Sequence, residues 1–137
     1  MKNYELIEHT ADVGIRVKGG DLKELFKNAA LAMFEIMAEV KNRAAEKKEL
    51  KITLKADNLE ELFINWLNEL LSLSATKELI FPAFKITKLD ERGLEAVLSG
   101  SDIKNYRLNS EIKAATYHQL KLQRLKSGWQ AEVILDV

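Results

Sequence analysis

From Asp21 onward, the apolar residues Leu22, Leu25, Phe26, Ala29, Ala30, Met33, Phe34 and Met37 recur at three- and four-residue intervals. That spacing lays one apolar stripe along a helix. Asp21 followed three residues later by Glu24 is the capping-box relation that opens such a helix, and Gly19-Gly20 interrupt whatever precedes it. The pattern predicts a second helix after Asn58, with Glu61 in the matching position and a stripe of Leu59, Leu62, Phe63, Trp66, Leu67, Leu70 and Leu71. Each stripe reads either as a partner-binding surface or as the underside of a helix packed on a sheet. In so small a chain the second reading is the expectation, with both helices covering one sheet.

The rest of the chain alternates with the period of two that marks strands. Leu50, Ile52, Leu54 and Ala56 face one way, and Lys51, Thr53 and Lys55 the other. Val13, Ile15 and Val17 do the same near the start. Phe84 and Ile86 run into an Asp90-Glu91-Arg92-Gly93 turn and return as Leu94, Ala96 and Leu98; Leu120 and Leu122 run into Lys126-Ser127-Gly128 and return as Val133 and Leu135. Both are hairpin signatures. The only proline, Pro82, suits a strand entrance or a sheet edge. Residues 40–49 and 100–109 read as exposed loops. The predicted fold is α+β: a two-layer sandwich of a mostly antiparallel sheet packed on two main helices, with residues 1–137 forming a single domain.

Composition narrows the chemistry. A chain of 137 residues buries roughly two-thirds of its unfolded surface, so it folds without covalent staples. The absence of cysteine excludes disulfides and thiolate zinc sites. Twenty-one basic residues balance twenty-one acidic ones, which argues against gripping nucleic acid through bulk charge but leaves room for a basic patch on one face. The opening residues carry no apolar signal-peptide core, and no apolar run approaches the ~20 residues of a membrane helix. The expected location is the cytoplasm, with no membrane association. There is no phosphate loop, nucleophile elbow or HExxH.

Three polar segments remain as candidates. In Glu8-His9-Thr10-Ala11-Asp12-Val13-Gly14, Asp12 is either a ligand for a hard cation or a turn-capping residue. His9 is a second ligand, a proton carrier or a hydrogen-bonding residue. In Lys113-Ala114-Ala115-Thr116-Tyr117-His118, strict alternation puts Ile112, Ala114, Thr116, His118 and Leu120 on one face, with a half-buried His118 as the plain reading. At Ile134-Leu135-Asp136-Val137, Asp136 points away from the apolar row of Val133, Leu135 and Val137. Its carboxylate and that of Val137 then lie one residue apart, and a bound cation relieves the repulsion between two such groups. The alternative is a strand that simply ends with Asp136 solvated.

These segments, together with Asn65-Trp66-Leu67-Asn68-Glu69-Leu70-Leu71, occur in the order found in one family, and the chain resembles archease across nearly its full length. The resemblance implies a small α+β protein that works beside an RtcB-type tRNA-splicing RNA ligase, promoting its guanylylation and multiple turnover without catalysis of its own. It further implies a divalent cation, calcium, held by Asp12, Asp136 and Val137, with His9, Lys113, Thr116 and His118 as neighbours of the site. On this reading tRNA is met only indirectly, through the ligase. Many family members carry a Gly-Glu pair where this chain reads Ser99-Gly100-Ser101-Asp102, a departure that bears on the partner contact and not on the metal. Two other functions compete: a chaperone-like modulator of a tRNA-modifying enzyme, and a metal-dependent phosphohydrolase using Asp12 and Asp136 with His9 as base.

Overall fold

The computed structural model describes residues 4–7 and 12–137. Helix α1 spans Leu22–Met37 and α2 spans Leu59–Lys77. Both open on the predicted caps. Asp21 Oδ1 accepts from the Glu24 N–H at 2.8 Å, and Asn58 Oδ1 accepts from the Glu61 N–H at 2.8 Å. The return bond of the first cap is displaced by one residue, since the Glu24 carboxylate accepts from the N–H of Gly20 at 3.0 Å. The two cap bonds to Glu24 and Glu61 each satisfy an amide that the first helical turn leaves without a partner.

The described residues form nine strands, in chain order β1 Tyr4–Ile7, β2 Val13–Gly19, β3 Ala38–Val40, β4 Lys47–Lys55, β5 Leu79–Leu89, β6 Gly93–Asp102, β7 Tyr106–Leu108, β8 Ala114–Leu125 and β9 Gly128–Asp136. Every pairing among them is antiparallel. They form a four-stranded sheet β1-β2-β9-β8, a three-stranded sheet β4-β6-β5 and a ribbon β3-β7. The fold is thus the predicted α+β arrangement, with the strands divided into three hydrogen-bonded groups where one sheet was expected. The helices bridge the two larger groups: α1 packs on β2 and β5, and α2 on β8, β5 and β4.

The apolar stripes are core. Trp66 has no exposed surface; its indole N–H donates to the Phe26 carbonyl at 2.9 Å, and its ring meets Phe84 edge-on at 5.6 Å. Phe26 in turn meets Phe63 edge-on at 5.1 Å. Both predicted hairpins form, the first closed by the Asp90 N–H to Gly93 carbonyl bond at 3.0 Å. Pro82 lies in the outer strand β5, where the register shifts between Ile80 and Ala83. At that irregular position its missing N–H leaves no ladder bond unmade.

The two predicted loops are partly structured. Residues 40–49 contain the end of β3 and the start of β4. Residues 100–109 contain the end of β6, a 3-10 turn over Ile103–Asn105 capped by Asp102, and β7. Three-residue strands such as β3 and β7 are too short to show a period, and the first residues of β4, Lys47-Lys48-Glu49, are all charged and exposed. Among the described residues, no helix is long and apolar enough to cross a membrane.

Candidate metal centre at the end of the four-stranded sheet

Antiparallel pairing brings the start of one strand beside the end of its neighbour. In the middle of the four-stranded sheet, Val13 of β2 stands opposite Leu135 of β9. One residue beyond that pair in each strand come Asp12 and Asp136, so both carboxyl side chains belong to the same end of the sheet. On the other side of β9, Ala114 stands opposite Asp136, and the Lys113 N–H donates to the Asp136 carbonyl at 2.7 Å. Two residues along, the Thr116 hydroxyl donates to the Ile134 carbonyl at 3.1 Å. Leu135 is fully buried and Asp136 is exposed, as the alternation predicts, whereas Val137, expected in the apolar row, retains 41% of its surface and Ile134, expected beside Asp136, is buried. Asp12 is half-buried.

Asp12, Lys113, Thr116 and Asp136 are thus gathered on three neighbouring strands. Glu8, His9, Thr10 and Ala11 lie outside the described residues. His118 departs from the expectation. The register runs Thr116 to Ile134 and then Lys121 to Glu132, so the four residues Tyr117 to Leu120 stand opposite Val133 alone. Gln119 takes a left-handed φ of 54° within this bulge. The bulge breaks the alternation that would have put His118 on a face with Thr116, and both His118 and Tyr117 are exposed on the outer strand. Wide bulges of this kind blunt a sheet edge against pairing with other chains.

The donor set suits a hard cation. The Asp12 and Asp136 carboxylates, at the ends of adjacent strands, offer only oxygen, the donor that calcium, magnesium and manganese take. Among the described residues, no group of three or more Asp, Glu or His side chains converges. A calcium ion there would take roughly six to eight oxygens, so water, backbone carbonyls or a partner would have to complete its shell.

Asn68 carries a role that its place in the sequence did not reveal. From α2 its side chain accepts from the Ala115 N–H at 2.7 Å and donates to the Ala115 carbonyl at 3.1 Å. One amide thus does for β8 what a neighbouring strand would do, fixing the stretch that carries Lys113 and Thr116 against the helix. The available signal was a polar residue between Leu67 and Leu70, at the margin of the apolar stripe. Asn68→Ala leaves both backbone groups of Ala115 short of a partner and is expected to lower stability by about 2 kcal/mol, read by urea titration. An unchanged midpoint would mean that water replaces the amide without loss.

The chain matches the model of the Archease protein family over residues 4–137. It is 37% identical over 142 residues to a protein archease of Methanosarcina acetivorans, covering 99% of this chain and 97% of that one. It is also 37% identical to a protein archease of Pyrococcus furiosus, with both chains covered in full. Among solved structures, it resembles the solution structure of protein 1598 of Methanobacterium thermoautotrophicum, with a TM-score of 0.75, 33% identity and both chains fully covered. The crystal structure of an archease from Thermotoga maritima, described as a possible chaperone, matches with a TM-score of 0.69 and 26% identity over 96% of this chain and 94% of that one.

Proposed function

The chain belongs to the archease family, and on that premise we propose that it is a non-catalytic, cation-bearing activator of an RtcB-type RNA ligase, promoting the ligase's guanylylation and repeated turnover. The observation that carries this reading is the β2–β9 register, which sets Asp12 and Asp136 at one end of one sheet. Calcium held there would supply positive charge at an otherwise acidic tip. The chain's own part is to hold carboxylates on rigid strand ends, with β8 anchored beside them by Asn68 and the Lys113 N–H joined to the Asp136 backbone. Activity of its own would need a group to bind a substrate phosphate, and the sequence carries no phosphate loop. On this reading the joining of RNA ends is the ligase's chemistry, carried out in the cytoplasm.

Two measurements test this together. Calcium should raise the melting temperature by binding the folded state alone, and Asp12→Ala should abolish the rise. Asp136→Ala, confirmed folded by circular dichroism, should fail to stimulate ligase-GMP formation at matched concentration. Full stimulation by folded Asp136→Ala would remove the acidic tip as the working surface. Turnover of nucleotide or RNA without the ligase would favour a phosphohydrolase instead.

A further inference from the structure

Charge sums to zero over the chain but is unevenly spread. In the three-stranded sheet, β6 lies between β4 and β5. Leu50, Ile52 and Leu54 of β4, Leu94, Ala96 and Leu98 of β6, and Phe84 of β5 belong to the core or pack against it. The alternate residues therefore make up the opposite, open face. Its middle row is Lys51, Val97 and Lys85, and the next is Thr53, Glu95 and Lys88. Lys47 and Lys55 stand at the two ends of β4. Five lysines thus meet two glutamates, Glu49 and Glu95, for a net charge of +3 on one face of a neutral protein. Glu95 is engaged by Lys88 at 3.4 Å. Among the described residues no ion pair engages Lys51, Lys55 or Lys85, and all three are exposed.

We propose that this open sheet face is a contact surface for the phosphate backbone of a nucleic-acid duplex. Ammonium groups on both outer strands flank a middle strand that presents Glu95, Val97 and Ser99, so point charges surround a shallow middle whose one carboxylate is engaged by Lys88. The face carries no aromatic residue on which single-stranded bases would stack, and no Arg, Asn or Gln to read a base edge. Contact is thus to phosphates, independent of sequence and dependent on salt. Its occupant is polyanionic, and the weak binding expected of so few charges agrees with the neutral whole. Lysines on outer strands also guard against edge-to-edge pairing, and substitution by glutamate separates the two roles because glutamate guards an edge equally. The inference stands apart from the ligase reading and needs neither cation nor partner.

The experiment titrates the full chain against fluorescein-labelled 20-base-pair RNA and DNA duplexes of the same sequence, by anisotropy at several salt concentrations. The expected plot of log affinity against log salt has a slope of about −3, close to one unit per lysine–phosphate contact. K51E/K85E should bind at least about tenfold more weakly at low salt, with the parent's circular dichroism and melting temperature. K18E/K126E, which alters lysines outside this face, should bind like the parent. Tighter binding of the RNA or of the DNA names the source of the phosphates. Absence of binding at low salt, a slope shallower than about −1, parent-like binding by K51E/K85E, or an equal loss in K18E/K126E would each overturn the proposal.

Discussion

Trp66→Ala is expected to destabilise the protein by about 3–5 kcal/mol, the range for removing a large aromatic side chain from a closed core. Trp66 is fully buried, so the substitution leaves a cavity among Phe26, Phe63 and Phe84 rather than a surface depression. It also removes the indole N–H bond to the Phe26 carbonyl, the direct polar tie between α1 and α2. Trp66→Phe keeps an aromatic ring but loses the donor and part of the indole's volume, so a smaller loss of about 2–3 kcal/mol is expected, the missing bond and a partial cavity together. Guanidinium titration of both variants measures the two losses. A Trp66→Ala protein with the parent's midpoint would instead put the indole on a partner surface, and the whole α2 stripe with it.

Gly128→Ala is the second large effect, and its cause is backbone rather than packing. Gly128 opens β9 immediately after the Lys126-Ser127 turn, with φ at +137°, a region that L side chains rarely adopt. A Cβ placed there would meet the Gly19 carbonyl oxygen at 2.3 Å. Gly19 cannot retreat, because its own hydrogen-side faces the first turn of α1, where a Cβ would meet the Leu25 nitrogen at 2.4 Å. Strained backbone and a clash with main chain together are expected to remove about 3 kcal/mol, which lowers the melting temperature by roughly 10 °C in a domain of this size. Thermal unfolding followed by circular dichroism checks it. A melting temperature within a degree or two of the parent's would show that the turn relaxes freely and that the close approach is not structural.

What could be read from the residues follows from how far each signal reaches. Helix α2 was legible because Leu59 to Leu71 repeat over several turns behind Asn58, and the hairpin at Asp90 to Gly93 because its turn and both strands are local. The β3–β7 ribbon escaped because three residues cannot display a period, and its partners lie some seventy residues apart, as Glu39 and Arg107 do. His118 departs from its expected face for a different reason: alternation continues evenly through Tyr117 to Leu120, and only the pairing with β9 reveals that four residues oppose one. The site is an intermediate case. Asp12 and Asp136 each stand out on local grounds, but their placement at one end of one sheet depends on β2 pairing with β9, a register no local pattern encodes. Asn68 was invisible for the same reason, since its partner Ala115 is forty-seven positions away.

That β2–β9 pairing has a consequence for how the protein is made. Arg16 and Glu132, which meet across it, are separated by 116 positions. Strands β4, β5 and β6 can form their sheet, and α1 and α2 can collapse on it, from sequence already synthesised while β9 has yet to appear. Until then β2 has one of its two neighbours missing, and the buried side chains of Ile15 and Val17 have no completed sheet to lie in. Closing so long a loop is entropically slow and sets a high contact order. At roughly 5–20 residues per second of translation, the stretch between β2 and β9 leaves the nascent chain with an unfinished apolar strand for about 5–20 seconds. During that interval it is most exposed to aggregation and to chaperones, and the last nine-residue strand is what ends it.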